Sequence, residues 1–362
     1  MTLVRASLLG TMLIVASVCP APRAATPTVT TILGTGAPGY SDTQVNNPYG
    51  VIFGPDGALY FCDLDNQRIR RFDPNTRTLT TIAGSGDKGY RGDDGPATQA
   101  ALNMPHDIQF DAAGNLYIAE RDNHVVRKVA VKTGIISTVA GTGVAGFAGD
   151  QGPGAKAQLR LPHSIVFDRD GTLLICDIGN QRIRRLHLAS GIIDTYAGTG
   201  QAADTPDGAP VGGTPLRGPR TIAVTSDGDL YLALREGNAI FRIDRRTQTL
   251  HRLAGTGEQG YSGDGGPALN AKLNGPKGLS YAPGELFLAD TENHAVRRID
   301  LATGIITTVL GTGARGDGPE TSPLECKLSR PHGVLADRSG VLYVTDSEAH
   351  RIRMVRELPS PR

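Results

Sequence analysis

Short apolar runs, alternating or β-branched in character, recur along the chain in sets of four, each run closed by turn residues. In the third set the runs read SIVFD, TLLICD, RIRRLHL and IIDTYAG. Asp-Gly or Gly-Asn joins the first two runs at Asp56-Gly57, Gly114-Asn115, Asp170-Gly171 and Asp227-Gly228, the pairs a tight hairpin requires. A D-x-x-N step joins the second and third, from Asp63 to Asn66, Asp177 to Asn180 and Asp290 to Asn293. One proline opens every set: Pro48, Pro105, Pro162, Pro219, Pro276 and Pro331, at intervals of 57 residues and finally 55. Four antiparallel strands at a fixed period predict the blades of an all-β, six-bladed β-propeller.

The sixth set stops after its third run, near Val355, and the missing run stands at the other end of the chain. Thr28 to Gly36 (TVTTILGTG) matches the fourth run of the other sets, such as TLTTIAGSG at Thr78 to Gly86. The N-terminal strand 28–36 is therefore expected to complete the last blade and close the ring, removing the free edges of an open array. The expected layout is an export segment at 1–25, a single propeller at 26–358 and a tail at 359–362.

The D-x-x-N-H/Q-x-[IV]-R phrase, from about residue 28 to 356, resembles the NHL repeat family. Asn123-His124 and Asn293-His294 carry the pair that marks those repeats, and Asn66-Gln67 and Asn180-Gln181 are variants of it. The connection from Gly255 to Leu273 is similar to bacterial extracytoplasmic members. The fourth repeat departs from the pattern, with Leu234 for the acid, Gly237 for the Asn and Phe241 for the Arg found at 70, 127, 184, 297 and 353. Acid and Arg vanish together, which predicts an ion-paired corner between the second and third strands that apolar packing replaces in blade four.

Composition narrows the function. A formal charge of +1 leaves no bulk electrostatic case for nucleic acid or an anionic membrane. Arg5 followed by the apolar stretch Ala6 to Val18 reads as an export signal, too short to span a bilayer, with cleavage expected near Ala24 or Ala25. The protein is thus expected to be periplasmic or extracellular, monomeric and without a transmembrane span. Cys62 and Cys176 occupy equivalent places in repeats that are not neighbours and read as small core residues; Cys326 falls in a loop.

The inner strand of each blade begins where the long interblade insertions and the D-x-x-N turns also lie, so five insertions frame one mouth of the channel. The residues after the repeated prolines line that mouth: Tyr49, His106, His163, Arg220, Lys277 and His332. Such a ring favours an anionic ligand, a carboxylate or a phosphate. The leading expectation is a binding scaffold for a protein, peptide or glycan, and the alternative is a metal-dependent lyase or hydrolase at the mouth. Pro105-His106, Pro162-His163 and Pro331-His332 resemble the Pro-His motifs of peptidylglycine amidating lyases, and this resemblance implies zinc on His106, His163 and His332. Here those residues come from blades two, three and six, whereas the family draws its histidines from alternate blades. The acidic segments Gly92 to Pro96 and Gly263 to Pro267 raise calcium as a further option, beside a self-packed loop.

Overall fold

The computed structural model describes residues 26–359. The expected export segment, with Cys19, lies outside the described residues. Six antiparallel sheets stand around one axis, and their innermost strands are Pro48–Phe53, Pro105–Phe110, Pro162–Phe167, Pro219–Val224, Pro276–Ala282 and Pro331–Ala336. Each begins at the repeated proline, where the absent N–H falls at the edge of the ladder and breaks no internal bond. Four sheets have four strands. Two gain a fifth, because the insertions of blades three and four fold back and pair Gly152–Pro153 with Ile192 and Ile193, and Ala209–Pro210 with Thr249 and Leu250.

The latch is Thr28–Leu33. It pairs antiparallel with Arg351–Arg356, with Val29 opposite Val355 and Thr31 opposite Arg353, so the last blade is completed from the other end of the chain. Between blades the facing sheets bury Val, Ile, Leu and Ala in separate clusters, such as Val29 and Val355 with Phe287, Val296 and Val344. Cys62 and Cys176 are free thiols within this packing, and Cys326 is also free and buried under the last insertion.

The acid–Arg corner is present in five blades, at Asp63–Arg70 (3.2 Å), Glu120–Arg127 (3.4 Å), Asp177–Arg184 (3.6 Å), Asp290–Arg297 (3.3 Å) and Asp346–Arg353 (2.8 Å). It does more than join two strands. The Asn of the turn donates to the same carboxylate and to a carbonyl of the insertion, as Asn180 does to Asp177 (2.8 Å) and Gly146 (2.6 Å). A carboxylate from the insertion then meets the buried guanidinium from outside: Asp93 with Arg127, Asp150 with Arg184 and Asp264 with Arg297. These three insertions are therefore fixed to their blades by a charge that cannot be left unpaired.

A second device links the blades to each other. The residue after the turn Asn adopts a left-handed conformation (φ 46° to 55°), and its side chain accepts a hydrogen bond from the N–H of the residue preceding the next blade's proline. The six links run from Gln67 to Met104 (2.8 Å), His124 to Leu161 (3.2 Å), Gln181 to Gly218 (2.7 Å), Asn238 to Gly275 (3.0 Å), His294 to Arg330 (3.2 Å) and His350 to Asn47 (3.1 Å). Blade four keeps its link through Asn238 although it has lost the ion-paired corner. The residue before each proline also has positive φ, from 52° at Arg330 to 72° at Gly218, a conformation unfavourable for residues other than glycine. The interblade bond holds it there.

Two sets of variants test these devices. His124→Ala is expected to destabilise the fold by ~1–3 kcal/mol in urea unfolding by leaving the Leu161 N–H unpaired, and His124→Gln to recover most of it. The three linking histidines accept through Nδ1 and must be unprotonated to do so. Burial lowers the pKa of each, so their contribution is full above ~6.5 and declines as pH falls below that value. Replacing all three with Gln is expected to flatten that acid limb. At the corner, Arg184→Phe alone is expected to cost ~3–5 kcal/mol by stranding Asp177, and addition of Asp177→Leu, which reproduces blade four, to restore a large part.

Candidate functional site

All six residues expected at the mouth converge. His332 stacks on Tyr49 with ring centroids 3.8 Å apart, Tyr49 meets His106 edge-on at 4.8 Å, and His106 meets His163 edge-on at 4.7 Å. Lys277 Nζ lies 2.9 Å from His332 Nε2, and Arg220 stands between blades three and five. His106, Arg220, Lys277 and His332 are each at most 7% exposed. Together they line a cavity of about 210 Å³ that continues down the channel past Asp107 and Ser164.

Backbone geometry sets the histidine tautomers. His106, His163 and His332 each direct Nδ1 at the carbonyl two residues earlier, Met104, Leu161 and Arg330, at 2.8–2.9 Å. A carbonyl can only accept, so Nδ1 carries the proton and Nε2 presents a lone pair to the channel. In His332 that lone pair accepts from Lys277. Burial, reinforced by nearby cations, pushes the pKa of His106 and His332 well below the ordinary value, so both stay neutral.

The ring is thus less basic than its composition implies. Burial, with Arg220 beside it, pulls Lys277 down to about 7. Lys277 also donates to Glu292 (3.1 Å), which is shared with Arg330. Burial works against the Glu292 charge, but Arg330 and Lys277 hold that carboxyl down at about 2. Arg220 is different. It is 7% exposed and has no hydrogen-bond or ion-pair partner among the described residues. Burial lowers it to about 10, which leaves it fully charged at neutral pH.

Several partners were not legible in the sequence. Asp107 follows His106 and faces the cavity one level below the ring. Its carboxylate accepts from Ser164 Oγ (2.6 Å) and the Ile165 N–H (3.1 Å), and Ser164 in turn lies 3.2 Å from Thr221 Oγ1. Desolvation by the surrounding protein raises Asp107 to about 6. The signal lay in the third position of the inner strands, where the other blades carry Gly50, Ser164, Thr221, Gly278 and Gly333. Those glycines allow close approach: a Cβ on Gly50 would lie 2.6 Å from Asp107 Oδ1, and one on Gly278 2.4 Å from the His332 carbonyl oxygen. Glu292 and Glu348, which hold Arg330 at the rim, come from the turns between the second and third strands of blades five and six.

The three histidines do not gather as a zinc site would need. Tyr49 lies against both His332 and His106, and the His332 lone pair is taken by Lys277. Among the described residues no three His, Cys, Asp or Glu side chains are placed to share one ion. The insertion acids raised for calcium are engaged elsewhere, Asp93 with Arg127 and Thr138, and Asp264 with Arg297 and Thr308.

Comparison with known proteins places this geometry. The family model described as NHL repeat matches residues 328–353. NHL repeat-containing protein 2 of Gallus gallus is 26% identical over 332 residues, covering 82% of this chain and 44% of that protein. The chain spans less than half the length of the first curated relatives it matches. Among solved structures, an auxiliary nutrient binding protein from Bacteroides thetaiotaomicron VPI-5482 superposes with a TM-score of 0.66 at 15% identity, over 91% of this chain and 76% of that one. Virginiamycin B lyase from Staphylococcus aureus superposes at 0.52 and 17% identity, over 92% and 99%. These likenesses concern the fold. No helix among the described residues is long and apolar enough to cross a membrane. The chain thus carries an NHL repeat at 328–353 within a closed six-bladed β-propeller, and it is similar to NHL repeat-containing proteins.

Proposed function

We propose that this chain is an exported binding propeller whose channel mouth takes the anionic end of a ligand, a carboxylate or phosphate carried on a peptide or glycan. The observation that carries this reading is Arg220, a buried guanidinium aimed into a cavity with no protein counter-ion among the described residues. Burying an unpaired charge is costly, and an anion from outside removes that cost. Lys277 adds a second donor. His106 and His163 present Nε2 lone pairs to the same space, which suits a ligand bearing a hydroxyl or amine beside its anionic group. The insertions around the mouth would hold the rest of the ligand. The Bacteroides neighbour, an auxiliary nutrient binding protein, is compatible with such a role.

A second reading, a lyase or hydrolase, draws on Asp107 and Lys277. Two titratable groups with pKa values near neutrality facing one cavity suit proton transfer.

Calorimetric titration with small dicarboxylates and inorganic phosphate tests the binding reading. Arg220→Met is expected to weaken binding by at least about tenfold, since a charge-assisted bond contributes ~1.5–3 kcal/mol. The same variant should unfold at a higher temperature than the parent, because it removes an uncompensated buried cation. Equal affinity in parent and variant would overturn the proposal. With a dicarboxylate, affinity should fall as pH rises from 6 to 8, as Lys277 loses its proton and Asp107 gains its charge, and Lys277→Met should reduce that dependence. Nitrogen NMR offers an independent check: His106 and His163 are expected as neutral Nδ1–H tautomers, with Nε2 shifting on addition of a hydroxy acid but not of acetate.

A further inference from the structure

Blade four differs from the others in a way that leaves space. Six residues beyond the glycine that ends the previous fourth strand, the insertions of blades one, two, three and five carry Tyr40, Tyr90, Phe147 and Tyr261. Each ring lies over the arginines of its own blade: Tyr40 over Arg68 at 3.9 Å, Tyr90 over Arg127 at 5.7 Å, Phe147 over Arg182 at 3.7 Å, and Tyr261 over Arg297 at 5.1 Å. In blade six the equivalent residue is Asp317, which pairs with Arg351 and Arg353 and closes the same place.

In blade four the equivalent residue is Asp204. It turns outward to Arg217 (2.8 Å), and its side chain is 90% exposed. The groups beneath are also replaced: Ala239 and Phe241 stand where blade three has Arg182 and Arg184, Leu234 where it has Asp177, and Gly237 where it has Asn180. These changes all line one cavity of about 320 Å³. Its floor is Leu234, Ala239 and Phe241, and no unpaired buried polar side-chain atom lies in it. Arg252 stands at the rim, exposed and without an ion-pair partner among the described residues.

We infer that blade four carries a second binding site, a slot that takes the aromatic side chain of a peptide partner. Three arguments select that occupant. The floor is apolar while the rim carries Asp204, Arg217, Arg252 and Glu258, a pairing that fits a flat ring with a polar edge. Phe241 offers a ring for edge or offset contact, and Arg217 and Arg252 offer guanidinium faces, so the slot supplies the cation–π partners that sister blades use. In those blades the ring arrives on a loop of peptide chain, so the approach admits a backbone. The slot is separate from the channel and does not depend on the anion-binding reading.

Methyl NMR on the full chain tests it, with N-acetyltyrosinamide as probe and N-acetylleucinamide and p-cresol as comparators. The expected result is a saturable shift of the Leu234 and Ala239 methyls by N-acetyltyrosinamide, at least tenfold tighter than by N-acetylleucinamide. Asp204→Tyr gives blade four its own aromatic residue and should abolish that shift while phosphate binding at the channel is unchanged. Ala239→Leu, which fills the floor instead, should do the same. Absence of a saturable shift, or its persistence in both variants, would overturn the site. Binding of p-cresol as tight as that of the tyrosinamide would overturn the peptide as its source.

Discussion

Six hydrogen bonds, each from a backbone N–H to the side chain of the preceding blade's turn, hold the start of every inner strand in this propeller. The residue that donates is the one before the proline, kept at positive φ, and its carbonyl is the group that orients the channel-mouth histidine two residues later. Blade packing, inner-strand register and imidazole tautomer therefore share one anchor. The ring is complete only because His350 reaches Asn47 across the junction that the Thr28–Leu33 latch closes. Blade four shows the priority of this anchor. It has lost the buried acid, the amide and the arginine, yet Asn238 still makes the link to Gly275.

The blade count, the latch and the set of six mouth residues were legible in the sequence because they follow from period and position. A proline every 57 residues fixes where each inner strand opens, and the residue after it has nowhere to go but the channel mouth. The ion-paired corner was legible for a different reason: acid and Arg disappear together in blade four. The electrostatic state of the mouth was not legible. Sequence shows three histidines, an arginine and a lysine as one basic ring, whereas the fold neutralises His106 and His332, draws Lys277 down to about 7 and leaves Arg220 as the fixed charge. Those outcomes depend on burial and on partners from other blades, such as His332 for Lys277 and Ser164 for Asp107. The fifth strands of blades three and four, and the slot in blade four, arise from how insertions fold back, which no periodicity encodes.

The two candidate sites follow from a single property of repeat architecture. Each blade repeats a satisfied arrangement, so a position where the satisfaction fails is conspicuous. At the mouth, Lys277 has Glu292 and His332, while Arg220 has a cavity. In blade four the aromatic residue, both arginines and their acid are absent at once, and a second cavity stands in their place. Neither feature serves stability. A buried unpaired cation and an unfilled space over an apolar floor both lower it, and such costs persist in folded proteins chiefly where ligands offset them.

The central claim is that an external anion is the missing partner of Arg220. The most direct measurement is anomalous diffraction from crystals of the protein equilibrated with selenate, an oxyanion whose selenium can be located without reference to the protein model. The account predicts a selenium site inside the channel mouth, with its oxygens within hydrogen-bond distance of the Arg220 guanidinium and on the side facing Lys277. Selenium found only at exposed Arg and Lys residues, with Arg220 closed by a carboxylate of the protein itself, would contradict it.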